Sequence, residues 1–317
     1  MLRERHVDTI IVSAGYTASD ELKAWNTLLS QNLDGVIAHL ECSDSDRQAA
    51  WQEQHSNIVF VHSPYETAGE LAADHLLGYG HSCIAVVTGP AEQHAAQAAL
   101  IGFMQRTHQK RDGSVQVHPL RTNQSEAGGA EAIARMMSLE EVPTAAFFAN
   151  DIMAIGALNA CRATGIKVPI DLSILCCGAP SGSVHTVPAL STVNFPTNYL
   201  GRRAARKMLY LLDGSSIESC RYKQSDEASI KLISRHSVQN RLNYPTKPNG
   251  AGEQINERER DSLQWAARGK TSWEISQILG ISESTVIYHM RNATRKLNAA
   301  NRLHAVTKAL KSSLIDF

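Results

Sequence analysis

Residues 256–315 read NERERDSLQWAARGKTSWEISQILGISESTVIYHMRNATRKLNAANRLHAVTKALKSSLI, and their punctuation divides them into four short helices. Asn256 stands three residues ahead of Glu259, and Thr271 three ahead of Glu274. Each pair predicts a helix start, because the cap oxygen takes an orphan N–H while the carboxylate reaches back to the N–H of the cap. Gly269 and Gly280 fall where the first two helices must stop, since glycine enters the left-handed region at little cost. Ser282 opens a third helix and Asn301 a fourth.

On a helical wheel Val286, Met290, Ala293 and Leu297 form one stripe, which must pack on Trp265, Ile275 and Leu279 of the first two helices. The opposite face is then determined. It carries Ser284, Tyr288, Arg291 and Arg295, flanked by Thr285, His289, Asn292 and Lys296. A polar, cationic helix held by a preceding helix and a glycine-containing turn is the helix-turn-helix arrangement that enters a major groove of DNA. Lys270 and the N–H groups of Thr271 and Ser272, at a helix N-terminus, are suited to the phosphate backbone. The bland alternative is a solvated basic face. Against it, caps, turn glycines, apolar stripe and cationic ridge all agree. From Arg268 onward Arg268, Lys270, Arg291, Arg295, Lys296, Arg302, Lys308 and Lys311 oppose Glu274, Glu283 and Asp316 in a chain whose formal net charge is zero.

The segment resembles the DNA-binding domain of LuxR-type regulators, and the RERD, LQWAARGKTSWEIS and TVIYHMRNATRKL blocks are closest to the quorum-sensing branch. The resemblance implies that the third helix reads DNA and the fourth helps to dimerise. By position it assigns Thr285, His289, Arg291, Asn292 and Lys296 as DNA contacts. Ile287 stands where the family usually has Asn or Lys, which bears on the bases recognised.

With 43% hydrophobic and 20% charged residues in 317, the composition is that of an ordinary globular protein of two domains. No run approaches the roughly 18 apolar residues of a membrane span, and the start has no apolar run of signal-peptide length. A cytoplasmic protein without a membrane partner is expected. The six cysteines, Cys42, Cys83, Cys161, Cys176, Cys177 and Cys220, lack CxxC spacing and read as buried thiols. The 13 histidines show no metal-ligand spacing. No metal, cofactor or catalytic residue is expected, and no nucleophile elbow or phosphate loop points to an enzyme.

From Thr9 to about Val238 short apolar runs alternate with amphipathic stretches, the pattern of a parallel α/β fold. Strands are expected at TIIVSAG (9–15), GVIAHL (35–40), NIVFVH (57–62), CIAVVTG (83–89), SVQVHPL (114–120), AAFFAND (145–151), LSILCCG (172–178) and STVNF (191–195). Helices are expected at 19–31, 66–78, 92–108, 125–138, 152–164 and 197–212. Ligands of such sheets bind beyond the C-terminal strand ends.

LDGVIAHL, ETAGELAADHLLGYGHSCIAVVTGP, FFANDIMAIGALNACRATGIKVPIDLSILCCG and PALSTVNFPTNYLGRRAARKMLYLLDG are similar to successive blocks of the LacI/GalR effector domain, as is the closing IKLISRHSV. The resemblance implies a periplasmic-binding-protein-like, two-lobe α/β sensor with a small-molecule effector in its cleft and protomers paired side by side. The resemblance further implies a truncated N-terminal lobe, since residue 1 corresponds to the family's second strand. The unpaired mid-sheet edge then needs a neighbouring chain or leaves the lobe loose. The link from NIVFVHS to ETAGELAADHLL is also short. The effector-binding arginine aligns with Ala99, and an acidic pair with Gly178 and Ala179. In the cleft remain Asn150, Asp151, Asn194 and Phe195 as effector-binding candidates; helix capping is the alternative role of Asn150 and Asp151.

Residues 239–254, QNRLNYPTKPNGAGEQ, read as a flexible linker between a sensor at 1–238 and an all-α, four-helix reader at 255–317. The whole predicts a transcriptional regulator that binds double-stranded DNA as a homodimer, gated by a small-molecule effector. The alternative is a constitutive DNA-binding dimer with a degenerate sensor.

Overall fold

The computed structural model describes residues 6–15, 17–42, 45–55, 57–109, 115–178, 183–214, 229–242, 254–297, 299 and 302–316. The sensor is built on β3 (Cys83–Thr88), β4 (Gln116–Arg121), β5 (Ala145–Phe148), β6 (Ser173–Gly178), β7 (Ser191–Asn194) and β8 (Lys231–Ile233). They form one sheet in the order β4-β3-β5-β6-β7-β8, parallel throughout except for antiparallel β8. Successive residues alternate between two cores. Ala85, Val87, Ala146, Phe148, Ile174 and Cys176 face α5 (Glu126–Met137) and α6 (Asp151–Thr164). Ile84, Val86, Ala145, Phe147, Leu175 and Cys177 face α3 (Tyr65–Gly78) and α4 (His94–His108). Strands covered on both faces read as unbroken apolar runs, which is why they were legible.

Capping and glycine determine how α5 and α6 lie. Ser125 Oγ accepts from Gly128 N, and Asn150 Oδ1 from Met153 N, so both helices start at the C-terminal edge of the sheet. A Cβ on Gly129 would stand 1.9 Å from the Met153 carbonyl oxygen, and one on Gly156 2.0 Å from that of Glu126. The two backbones therefore touch, and the pair behaves as one block.

The first lobe is smaller. It holds α1 (Ala18–Leu29), β1 (Val36–Ala38), α2 (Ser45–Gln54) and β2 (Ile58–Phe60), with β1 and β2 in a two-stranded parallel sheet. Trp25 and Trp51 stack at 4.2 Å between the helices. Across the sheet α7 (Thr197–Leu212) brings Ala204 and Met208 onto Val59. The strand expected at 9–15 does not form: its described residues are irregular, and Ile10 and Ile11 are 56% and 90% exposed. A strand needs a neighbour's backbone as well as propensity, and two short strands offer a marginal template. Helix α2 was not anticipated, its SDRQAAWQEQ being polar apart from Trp51 and two alanines.

The reader comprises α8 (Glu257–Ala267), α9 (Ser272–Leu279), α10 (Glu283–Lys296) and α11 (Arg302–Lys311). Both expected capping boxes form, on Asn256 with Glu259 and on Thr271 with Glu274. Gly269 and Gly280 take φ values of 76° and 65°. Leu263, Ile275, Val286, Met290 and Ala293 build the core, closed by Ala305, Val306 and Ala309 of α11. Asn301, read as the start of the fourth helix, lies outside the described residues. So do Ala179, Cys220 and residues 243–253 of the linker. Residues 239–242 pack on the sensor: Gln239 N donates to Ser173 Oγ and Arg241 N to the Tyr79 carbonyl. No helix among the described residues is long and apolar enough to cross a membrane.

Candidate DNA-reading helix and effector cleft

Helix α10 starts at Ser282, whose hydroxyl accepts from Thr285 N at 3.2 Å and bonds Ser284 Oγ and Thr285 Oγ1. Ser284 is half-buried and Thr285 buried. The next turns do not face solvent as the helical wheel implied, because the sensor covers them. Tyr288 is 5% exposed and joins the core between α5 and α6. Burial, with Asp171 nearby, pushes its phenol far up, so the ring stays neutral. His289 is buried, and its Nε2 lies 3.0 Å from the Thr164 carbonyl at the end of α6. A carbonyl only accepts, so the proton sits on Nε2. Arg291 is exposed yet donates to the carbonyls of Leu139 and Glu140, just past α5, the latter at 3.2 Å. Asn292, half-buried, bonds Tyr288. Arg295 is exposed.

Three residues assigned to DNA, Lys296, Thr271 and Lys270, have internal duties. Lys296, with a side chain 11% exposed, reaches both carboxylate oxygens of fully buried Glu259 at 2.8 and 2.9 Å and bolts α10 to α8. The Thr271 N–H, read as a phosphate ligand, is taken by Glu274 Oε2 at 2.8 Å. That N–H, together with Lys270 at 3.0 Å, holds the Glu274 carboxyl down at about 2. Arg302 donates to the Lys270 carbonyl and to Ser272 Oγ. The Thr271 N–H and the Lys270 ammonium, both read as phosphate ligands, are thus already engaged by Glu274.

Burial lowers the His289 imidazole from its ordinary 6.5, aided by Arg258 and opposed by the Thr164 carbonyl, Glu259 and Asp171. A histidine depressed in the docked state favours docking when neutral. The contribution is therefore whole above pH 6.5 and declines as the pH falls through 6.5 toward the depressed value. The His289 ring should titrate below 6.5 by NMR. A value at or above 6.5 would contradict its placement against Thr164.

At the C-terminal strand ends a second group of side chains converges. Gln124, after β4, donates to Gln93 Oε1 and to Glu41 Oε2 at 3.3 Å, and Asn150 Nδ2 reaches Gln124 Oε1 at 3.4 Å. Tyr65 donates to Glu41 Oε1 at 3.2 Å and sets its ring edgewise on Phe195, 4.9 Å between centroids. Asn150 takes the capping role: its oxygen caps α6, and its amide meets Gln124 in this group. Burial raises the Asp151 carboxyl, which lies opposite Gly178. Asn194 Oδ1 is buried without a hydrogen-bond partner, whereas Phe195 is 5% exposed and belongs to the core. Glu41, Tyr65, Gln93 and Gln124 were missed. Glu41, Gln93 and Gln124 each follow a strand by a few residues, which is the signal that reaches them. The described thiols are structural: burial pushes Cys42 and Cys83 up to about 11 and Cys161 and Cys176 to about 12. Among the described residues there is no group of three or more metal-ligating side chains.

Residues 73–238 match the family described as periplasmic binding protein-like domain, and 253–309 that described as bacterial regulatory proteins, luxR family. The HTH-type transcriptional repressor PurR of Aliivibrio fischeri strain MJ11 is 28% identical over 247 residues, covering 76% of this chain and 67% of that protein. The probable HTH-type transcriptional repressor ExuR of Bacillus subtilis is 25% identical over 226 residues, covering 67% and 68%. A LacI family transcriptional regulator from Bifidobacterium animalis subsp. lactis superposes with a TM-score of 0.62 at 25% identity, over 75% of this chain and 90% of that one. Relatives and fold agree with the two resemblances read from the sequence. The chain belongs to the periplasmic-binding-protein-like family and, with a reader of the luxR family behind that domain, is a DNA-binding transcriptional regulator.

Proposed function

We propose that this regulator reads duplex DNA as a cytoplasmic homodimer, one α10 in each of two major-groove half-sites, and that its sensor is not an enzyme. Ser284, Thr285, Tyr288, His289, Arg291 and Asn292 form the base-facing surface, while Arg295 and Lys270 meet phosphates. Lys296 serves by holding α10 on α8. One observation carries this reading: Arg291 is engaged by two main-chain carbonyls, which leave its positive charge uncancelled for an anionic partner.

The cleft supplies acceptors from Glu41, Asp151 and Asn194 and amides from Gln93, Gln124 and Asn150, which suits an effector rich in N–H or O–H donors. A constitutive regulator is the second reading, favoured by the way Gln93, Gln124, Glu41 and Asn150 already satisfy one another. Affinity selection from a random duplex pool tests the main reading. Wild type should enrich a two-fold site with half-sites about 10 base pairs apart, and Arg291→Ala should lose discrimination of about 1–3 kcal/mol at one position per half-site. Failure of the wild type to retain any duplex at low salt would overturn it.

A further inference from the structure

The face of α10 that is offered to DNA is the face the sensor holds. Three elements converge there. Tyr288 sits in the core cluster of α5 and α6. His289 Nε2 meets the last carbonyl of α6, and Arg291 the carbonyls of Leu139 and Glu140 beyond α5. The C-terminal ends of helices carry unsatisfied carbonyls and a partial negative charge, so two of them side by side attract the donors a phosphate or a guanine edge would attract. Beside them, Gly165 closes α6 with φ 76°, and a Cβ there would stand 2.9 Å from Arg258 Cγ of the reader. The glycine that ends the helix also makes room for the neighbouring domain.

We infer that the joint C-terminal end of α5 and α6 is a binding surface for α10, that it competes with DNA for Tyr288, His289 and Arg291, and that the arrangement described is the closed state of the regulator. Size makes the two engagements exclusive. A helix with its side chains is about 10–12 Å across and fills a major groove about 12 Å wide. No groove admits α10 while protein backbone lies 3.0 Å from His289. The reach of the surface is also defined. Helices α5 and α6, of 12 and 14 residues, run about 18 and 21 Å. They begin at Gln124, Asn150 and Asp151 in the cleft and end at α10, with Gly129 and Gly156 locking them together. Whatever displaces their N-termini moves the surface that holds the reader.

The inference rests on the DNA-reading role proposed above, so its test must separate the two. Thr164→Tyr places a neutral ring where His289 docks, and Glu140→Tyr, at an exposed position, does so beside Arg291, with Glu140→Gln as the control for the carboxylate it removes; neither substitution lies in the reader. Binding is followed by fluorescence anisotropy in the full chain, on a labelled 30-base-pair duplex of about three helical turns. The duplex carries the enriched sequence or, where none is enriched, random sequence. Apparent affinity is reduced by the open fraction, so a chain closed about nine-tenths of the time or more gains at least tenfold on release. Tighter binding by at least tenfold in a variant whose sensor melts as wild type supports the clamp. Wild-type binding with no gain in the folded variants overturns the clamp and leaves DNA reading intact, while no binding by any of them overturns both. Should Thr164→Tyr unfold α6, Glu140→Tyr decides.

Discussion

Glu259→Ala is expected to unlatch the reader, at a cost of about 3–5 kcal/mol, because it leaves Lys296 charged and buried with no counter-ion. Two losses coincide in that substitution. Glu259 Oε2 accepts the Asn256 N–H at 2.9 Å and completes the capping box of α8, and the same carboxylate holds Lys296 of α10. With its side chain fully buried and that of Lys296 11% exposed, screening by solvent does little to soften the loss. Amide exchange across α8 and α10 should quicken by about 10²- to 10⁴-fold, since 1.36 kcal/mol is a factor of ten. Glu259→Gln keeps a cap acceptor and should fall between the two. A change below about 1 kcal/mol would place the pair among exposed ion pairs and deny Lys296 its structural role.

Salt should weaken DNA binding on a comparable scale. Lys270 and Arg295 from each reader offer four phosphate-directed cations in a dimer. With a slope of about −0.9 per phosphate in log–log form, four contacts lose about 10² in affinity between 50 and 200 mM salt. Arg295→Ala should flatten the slope by about 2 in the dimer, one contact being lost from each reader. A fall of less than tenfold across that range would mean that the ridge does not meet the DNA backbone.

The reader was legible almost residue by residue because its signals are local. Asn256 with Glu259, Thr271 with Glu274 and the glycines at 269 and 280 each act within a few residues of chain. The α/β core was legible for a related reason: β3, β5 and β6 are apolar on both faces. What escaped depends on partners far away in sequence. The run at 9–15 has strand propensity but pairs with no strand among the described residues. Glu41 enters the cleft only because Tyr65 and Gln124 fold against it. Lys296 looks like a surface cation until Glu259 is brought under it, 37 residues away. The outward turn expected of Tyr288 and His289 is not what the structure shows, because the sensor covers that face. The wheel says which side of α10 leaves the core of its own domain, and is silent on a second domain waiting there.

Deuterium exchange on the full-length wild type, with and without the enriched duplex, tests most directly whether one face of α10 serves both partners. The sensor turn at 161–168 should lose protection when DNA is added, while 285–292 stays protected by its new occupant. Gain of protection in both segments together would show the docked arrangement itself on DNA, and would contradict the exclusive use of that face.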